Sequence, residues 1–335
     1  MVGDEFVFLC FCGLLRPFEA RLSLKRELKE SVKILAKRIG YADCGITGTE
    51  PFSEYEKAVR GMIQRFPECS SLYEGMLRRV NPVEKKTWAG SIVVCARRYG
   101  KYDLPEGAPD HIGRNYLCDR RYPGCPDHDM PARFKKELMS LGLRVARGGI
   151  PDRWAAARAG ITSFGRNCFA YSRHGSWINL ECWLVDAKMI PDRPNAAPIC
   201  PEDCDLCIRA CPTGAIVEPY VMRMDRCIAY LTYSSPEPPP DNLRKKMGTW
   251  VYGCDVCQLV CPLNRGKWEP LEKMPWLDES LPYLSCESLS QMGRQTYEEK
   301  VHPLFWYIPK DRLDIWRRNA LRALENSSAR CSCSR

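Results

Sequence analysis

Apolar residues at Leu28, Val32, Leu35, Ala36 and Ile39 recur at helical spacing, so Leu22 to Ile39 is expected to form an amphipathic helix. Ala42 to Ile46 runs into a Gly-Ile-Thr-Gly turn and reads as a short buried strand. Residues 54–66 return to a helical pattern, and the apolar run in Trp88 to Ala96 reads as a second buried strand. Ala132 to Leu143 and Asp152 to Ala159 are expected helices, and Ser176 to Val185 is an expected strand. This alternation predicts an α/β layer over roughly the first 190 residues. Between Lys101 and Pro131 lies a Gly-, Pro- and Asp-rich stretch too long for a casual connector, so it reads as a surface loop or as a pocket wall or lid. After Pro191 prolines and cysteines become dense and periodicity fades, which marks a domain boundary. From about residue 265 prolines mix with one further helical stretch, Asp311 to Leu324. The expected organisation is an N-terminal extension over 1–25, an α/β domain over 26–190, a cysteine-rich domain over 191–265 and a C-terminal segment over 266–335.

Composition narrows the class. The chain has 335 residues, 45% hydrophobic and 27% charged, which suits a globular protein of about two domains. Its longest apolar run, Phe6 to Leu15, is too short to span a bilayer, and Asp4 and Glu5 stand where a secretory signal would be positive. A cytoplasmic protein without a membrane anchor is therefore expected. That expectation matters for the 20 cysteines, because without export metal ligation gains over a disulfide scaffold. The formal charge of +9 permits an acidic partner such as RNA without requiring one.

The cysteines fall into a pattern: Cys200-x3-Cys204-x2-Cys207-x3-Cys211-Pro212, then Cys227, then Cys254-x2-Cys257-x3-Cys261-Pro262. Short spacings let thiolates on one turning loop converge, and in two-cluster ferredoxin runs the cysteine before proline ligates the other cluster. By that rule Cys200, Cys204, Cys207 and Cys261 hold one [4Fe–4S] cluster, and Cys211, Cys227, Cys254 and Cys257 hold the second. Eight thiolates could also hold structural zinc, but zinc leaves both Cys-Pro endings unexplained. The first gap is one residue longer than usual, which makes Cys200 the most irregular ligand. Cys44, Cys95, Cys168 and Cys182 sit in apolar surroundings as small core residues, and Cys331 and Cys333 form a C-x-C in the tail.

Three stretches carry a resemblance: Asp205-Leu-Cys-Ile-Arg-Ala-Cys-Pro-Thr-Gly-Ala-Ile216, Asp225-Arg-Cys-Ile-Ala-Tyr-Leu-Thr232 and Tyr252-Gly-Cys-Asp-Val-Cys-Gln-Leu-Val-Cys-Pro-Leu-Asn264. Together they resemble the epoxyqueuosine reductases, cobalamin-dependent enzymes of tRNA queuosine synthesis, over about residues 30 to 325. Gly113-Arg-Asn-Tyr116, Asp152-Arg153, Ala159-Gly160, Gly165-Arg166 and Gly175-Ser-Trp177 extend the likeness into the first domain. The resemblance implies an α+β protein: a nitroreductase-like α/β domain binding base-off cobalamin, a ferredoxin-like domain with two [4Fe–4S] clusters and a short helical C-terminus. It also implies corrinoid contacts from Asp152, Arg153, Gly165, Arg166, Ser176 and Trp177. A low-potential donor such as ferredoxin or flavodoxin, tRNA as a partner and a monomeric state follow as expectations. Reductive dehalogenases share the architecture.

Two departures stand out. The family's proton-donating Asp lies seven residues before the Arg of the Asp/Glu-Arg pair, and here that position is Ala146, flanked by Arg144 and Arg147. The family normally ends in HEAT-like helices that help hold tRNA, whereas here Arg317 to Asn326 resembles the start of one such helix. With Ala146 at the usual site, Tyr116 and Tyr171 are the leading alternative proton donors, ahead of Asp152 and His128. Trp177 reads as a packing aromatic. Arg312, Arg317, Arg318 and Arg322 could touch phosphate, although residues 318 and 322 share a face with 311 and 315 and equally suit a mixed solvated surface. No phosphate-binding Gly-x-x-x-x-Gly-Lys-Ser/Thr, no Gly-x-Gly-x-x-Gly helix opening and no Asp-x-His-x-x-Gly lower-ligand motif is present. Three functions are consistent with this reading: a cobalamin and iron–sulfur reductase, a reductive dehalogenase-like enzyme acting on a small organohalide, and an electron-transfer or corrinoid-handling protein without its own substrate.

Overall fold

A computed structural model describes residues 17–122, 124–195 and 198–332. The run Phe6 to Leu15 and Cys333 lie outside the described residues. In chain order the principal elements begin with helix α1 (Pro17–Ile39), strand β1 (Asp43–Thr47), helix α2 (Ser53–Arg65) and strand β2 (Ser91–Arg98). They continue with α3 (Arg114–Leu117), α4 (Met130–Ser140), β3 (Val145–Arg147) and α5 (Asp152–Arg158). A hairpin of β4 (Ser163–Phe164) and β5 (Ala170–Tyr171) precedes β6 (Ile178–Val185). The cysteine region carries α6 (Leu206–Ala210) and α7 (Val256–Leu259), and α8 (Leu313–Ser332) closes the described chain.

The four-stranded sheet has the order β1-β2-β6-β3, and every pairing in it is antiparallel. Strand β2 is covered on both faces, so it reads as an unbroken apolar run. One face packs Val93, Cys95, Trp183 and Val185 against α1 and α4 through Val32, Leu35, Phe134 and Leu138. The other packs Ile92, Val94, Cys182 and Leu184 against α2 and α5. Strand β3 and the β4–β5 hairpin carry no periodic signal because they are only two or three residues long. Their existence depends on partners: Ala146 pairs with Leu184 and Arg147 with Trp183.

Gly45 lets α5 approach the sheet. A Cβ there would overlap the Ala159 carbonyl and stand 2.9 Å from Ile161 Cγ2. Gly45→Ala is expected to lower stability by about 1–3 kcal/mol through overpacking, read as a fall in the urea midpoint at unchanged slope.

The Lys101–Pro131 stretch is pinned rather than free. Arg97, buried in β2, pairs with Asp127 at 3.1 Å, and Tyr102 donates its hydroxyl to the same carboxylate at 2.6 Å. Burial alone would raise the Asp127 carboxyl, but Arg97, Tyr102 and Lys101 hold it below the usual carboxylate range. Tyr102, Ile112, Leu117 and Cys118 join one core with Tyr252 and with Trp276, Phe305 and Trp316 of the C-terminal segment. The stretch is thus a structural joint whose α3 forms part of a pocket wall.

On α8 the expected solvated arginine face is only partly so. Arg312 is paired with Asp314 at 2.9 Å. Arg317 donates to the Met292 carbonyl, Arg318 to that of Leu231, and buried Arg322 to those of Gly248 and Trp250. These guanidiniums tie α8 to backbone carbonyls of the segments packed against it.

Candidate functional site

The cysteine loops turn sharply because Pro212 and Pro262 follow Cys211 and Cys261 and end the short helical turns before them. The eight thiols then group by space. Burial pushes Cys207 up to about 11, and its charged neighbours are Cys261, Cys200 and Cys204. Burial likewise raises Cys257 well above a free thiol, and its neighbours are Cys254, Cys227 and Cys211. Each Cys-Pro cysteine therefore joins the opposite loop's set. Four crowded thiolates are mutually repulsive until iron neutralises them, so the donor set fits a cluster. Among the described residues no three His, Cys, Asp or Glu side chains close on a single-ion site; ligands of a multi-iron cluster stand further apart.

Backbone N–H groups point at these sulfurs, from Arg166 to Cys200 at 3.4 Å and from Ala215 to Cys211 at 3.2 Å. Such bonds stabilise thiolate and help to set cluster potential. Asp255, between Cys254 and Cys257, accepts from the Arg114 N–H at 2.7 Å and ties α3 to the second loop. Burial raises its carboxyl to about 6 against the pull of Arg114.

Three of the six residues assigned to corrinoid by resemblance, Arg166, Ser176 and Trp177, lie against the cluster loops. Arg166 donates to the carbonyls of Cys204 and Glu202. A Cβ on Gly165 would stand 2.5 Å from the Tyr171 ring, so only glycine admits that ring. Ser176 donates its hydroxyl to Gln258 at 2.8 Å, and its N–H donates to Asn264 at 2.8 Å. Trp177 is buried edge-on against Tyr99 and Trp268. Beside it opens a cavity of about 210 Å³ walled by Arg114, Trp177, Leu259, Val260, Cys261 and Arg265, among others.

Asp152 and Arg153 begin α5 elsewhere, with Arg153 near Cys227 of the second thiol set. Burial raises the Asp152 carboxyl, with Cys182, Arg79 and Arg147 close enough to oppose the shift. Arg153 donates to the Cys168 carbonyl at 2.5 Å, and its charge favours the thiolate of Cys227 and the phenolate of Tyr233. Tyr116 donates its hydroxyl to Tyr233 at 3.0 Å. Its ring rests on Gly253, whose φ of 74° and missing Cβ permit the contact. Burial pushes Tyr233 up to about 12 and raises Tyr116 well above a free phenol.

The two expected proton donors therefore part company. Tyr116 belongs to the second set's side, while Tyr171, raised by burial and by Cys261, accepts from Asn167 at 2.9 Å on the first set's side. His128 is held through Nδ1 to the Arg120 carbonyl at 3.0 Å. Ala146 lies in β3, near which stand Glu181, bonded by Tyr41 at 2.6 Å and by Arg120 at 2.6 Å, and Asp186, which accepts the Arg144 N–H at 3.0 Å. Sequence reading missed Tyr233, Asn167, Gln258 and Asn264. Tyr233 sits six residues after Cys227, but its meaning comes from a partner 117 positions away.

Comparison with known proteins follows the same division. Residues 200–264 match the family described as 4Fe-4S double cluster binding domain. The Xanthomonas campestris epoxyqueuosine reductase is 30% identical over 253 residues, covering 70% of this chain and 69% of the relative. The chain belongs to the epoxyqueuosine reductase family. The Bacillus subtilis epoxyqueuosine reductase is 32% identical over 255 residues, 72% of this chain and 64% of its own length. The chain thus spans about 64% of that relative. An epoxyqueuosine reductase crystallised with a tRNA-Tyr epoxyqueuosine-modified stem loop superimposes with a TM-score of 0.73 at 28% identity, covering 90% of this chain and 82% of that one. The family's fold, a mixed helix-and-sheet domain joined to a double-cluster domain, is the fold seen here. Among the described residues no helix is long and apolar enough to cross a membrane.

Proposed function

We propose that this chain is an iron–sulfur and corrinoid-dependent reductase that acts on epoxyqueuosine in tRNA. The observation that carries the reading is the crossing of the two thiol sets, with the second set beside Arg153, Tyr233 and Tyr116. Cys200, Cys204, Cys207 and Cys261 would hold one [4Fe–4S] cluster and Cys211, Cys227, Cys254 and Cys257 the other, giving two adjacent low-potential centres.

A corrinoid fits the second set's side. Arg147, Arg153 and Asp152 offer charged and hydrogen-bonding groups there, and the Gly148–Gly149 turn leaves open space on its Cβ side. A bound corrinoid supplies a strongly reducing, nucleophilic cobalt. The chain's own work is to hold that cofactor, keep water out and deliver a proton. Because Ala146 occupies the position that resemblance gives to the acid, Tyr233 with Tyr116 behind it is assigned the proton. Arg153 keeps that phenol from rising further, so the hydroxyl donates more readily than an equally buried one without a cation nearby.

The test is anaerobic reconstitution with iron, sulfide and hydroxocobalamin, followed by turnover of epoxyqueuosine-bearing tRNA. Conversion to queuosine is expected, and Tyr233→Phe is expected to slow it about 10²-fold, in the range of general-acid catalysis. A loaded enzyme that leaves the tRNA unchanged would refute the reading, and turnover of a small organohalide instead would favour the dehalogenase alternative.

A further inference from the structure

In the sequence Cys44 and Cys95 look like unrelated small core residues, 51 positions apart. The sheet makes them neighbours. Cys44 of β1 lies directly opposite Cys95 of β2 in an antiparallel pairing. Both side chains belong to the face that packs under α1 and α4, Cys95 fully buried and Cys44 half-buried. Cys95 donates its thiol hydrogen to Cys44, with the two sulfurs 3.8 Å apart. Among the described residues this is the one thiol-to-thiol hydrogen bond, and neither cysteine belongs to the two sets that iron would bind. Directly opposed residues of an antiparallel pair have Cα atoms about 4.5 or 5.5 Å apart, and disulfides bridge Cα atoms about 4.4–6.8 Å apart. The backbone therefore already stands at bridging distance, and rotation about the two Cα–Cβ bonds closes the sulfurs. The position also has mechanical leverage. Strand β1 stands at the edge of the sheet and pairs there with β2 alone.

We propose that Cys44 and Cys95 form a reversible intramolecular disulfide, made by oxidation with a hydroperoxide and undone by a dithiol, that staples β1 to β2. The half-buried thiol of Cys44 meets the oxidant first. Its sulfur attacks the peroxide, the O–O bond breaks, and a sulfenic acid forms with release of water or an alcohol. The Cys95 sulfur then attacks the Cys44 sulfur. The S–S bond forms, and the sulfenic hydroxyl leaves as water with the Cys95 proton. Two electrons have passed from the two thiols to the peroxide. Until that attack Cys95 stays a thiol, because burial, Cys44 and Glu181 all raise it above the ordinary range. A dithiol restores both thiols by exchange and is itself oxidised to a disulfide. The inference is independent of the reductase reading and of which substrate is reduced.

The test adds stoichiometric hydrogen peroxide, without oxygen, to the reconstituted full-length protein. Remaining thiols are alkylated, the chain is digested for mass spectrometry, and iron content is followed in parallel. The peptides carrying Cys44 and Cys95 should appear linked while iron content is unchanged, and dithiothreitol should separate them. The linked form should melt about 6 °C above the reduced form, the rise that closing a loop of 51 positions gives in a chain of this size. Cys44→Ser, a change at the half-buried position, should show neither the linkage nor the rise. Absence of the linked peptide in wild type would overturn the staple, as would linkage that appears only after iron is lost. Linkage without a rise in melting temperature, or an equal rise in Cys44→Ser, would overturn it too. Because the readouts are a peptide linkage and a melting temperature, failure to turn over tRNA leaves this result standing, and the converse holds as well.

Discussion

Cys261→Ser combined with Cys207→Ser is expected to lose no more iron than either change alone, about four atoms from a full complement of about eight. Cys261→Ser combined with Cys257→Ser, four residues away, is expected to lose nearly all of it. The difference follows from the crossing. Cys261 shares its surroundings with Cys200, Cys204 and Cys207, whereas Cys257 shares its own with Cys211, Cys227 and Cys254. Two ligands of one cluster are non-additive when either loss destroys it, and ligands of separate clusters add. Iron and sulfide analysis after anaerobic reconstitution, with electron paramagnetic resonance to count reduced centres, checks both pairs. An uncrossed arrangement, in which Cys254, Cys257 and Cys261 serve one cluster, gives the opposite pattern. Substrate reduction should be abolished in every one of these variants, so iron stoichiometry and not activity discriminates between the arrangements.

Arg322→Ala is expected to destabilise the fold by about 3 kcal/mol, because the Trp250 carbonyl loses its charge-assisted donor while the Gly248 carbonyl keeps only Asn326 at 2.8 Å. That corresponds to a fall of roughly 4 °C in melting temperature for a chain of this size, whose unfolding entropy is about 0.7 kcal/mol per kelvin. Arg322 is 2% exposed and donates to Gly248 at 2.6 Å and to Trp250. Burial pulls its guanidinium down to about 10, which signals how far it has been withdrawn from water. Its neighbour Asn319, fully buried, donates to Thr232 and to Val251 at 3.0 Å. Thr232 in turn accepts the Gly253 N–H at 2.9 Å, immediately before Cys254. Helix α8 thus clamps both segments that bring Cys227 and Cys254 together. Iron retention should fall alongside thermal stability in Arg322→Ala, whereas Arg312→Ala, just before the helix, removes a half-exposed pair with Asp314 and one bond to the Pro236 carbonyl and should change both far less. Differential scanning fluorimetry and iron release under mild urea would read the two effects.

Much of the secondary structure was legible in the sequence where burial repeats at a fixed period. Val32, Leu35, Ala36 and Ile39 announce α1, and the Ser91–Ala96 run announces β2, because a helix stripe and a doubly covered strand leave distinct patterns. Strand β3 and the β4–β5 hairpin were not legible. Two or three residues cannot display a period, and they are strands through their hydrogen-bonded partners alone. The Lys101–Pro131 stretch read as a surface loop or pocket wall because its composition is that of a loop; the Arg97–Asp127–Tyr102 cluster buries it all the same. The arginines of α8 read as a phosphate-facing or solvated surface, since a sequence does not reveal that loop carbonyls await their donors.

By itself the sequence determined the chemistry of the cysteine domain. Ligand spacing is a local property, and the proline after the fourth cysteine forces a turn whatever surrounds it. That is why two crossed sets of four are expected from the chain alone, and the same thiols neighbour one another in the fold. Tertiary structure decided which surroundings each set receives. Tyr171 and Tyr116 look equivalent as phenols in a sequence, yet one stands by Cys261 and the other pairs with Tyr233 beside Cys227. Gly165, Arg166 and Ser176 are cofactor contacts by resemblance, and the fold adds to each a protein partner in the cluster loops or the β4–β5 hairpin. Hydrogen bonds and charge act over a few ångströms of space, and residues 117 positions apart acquire that proximity through the fold.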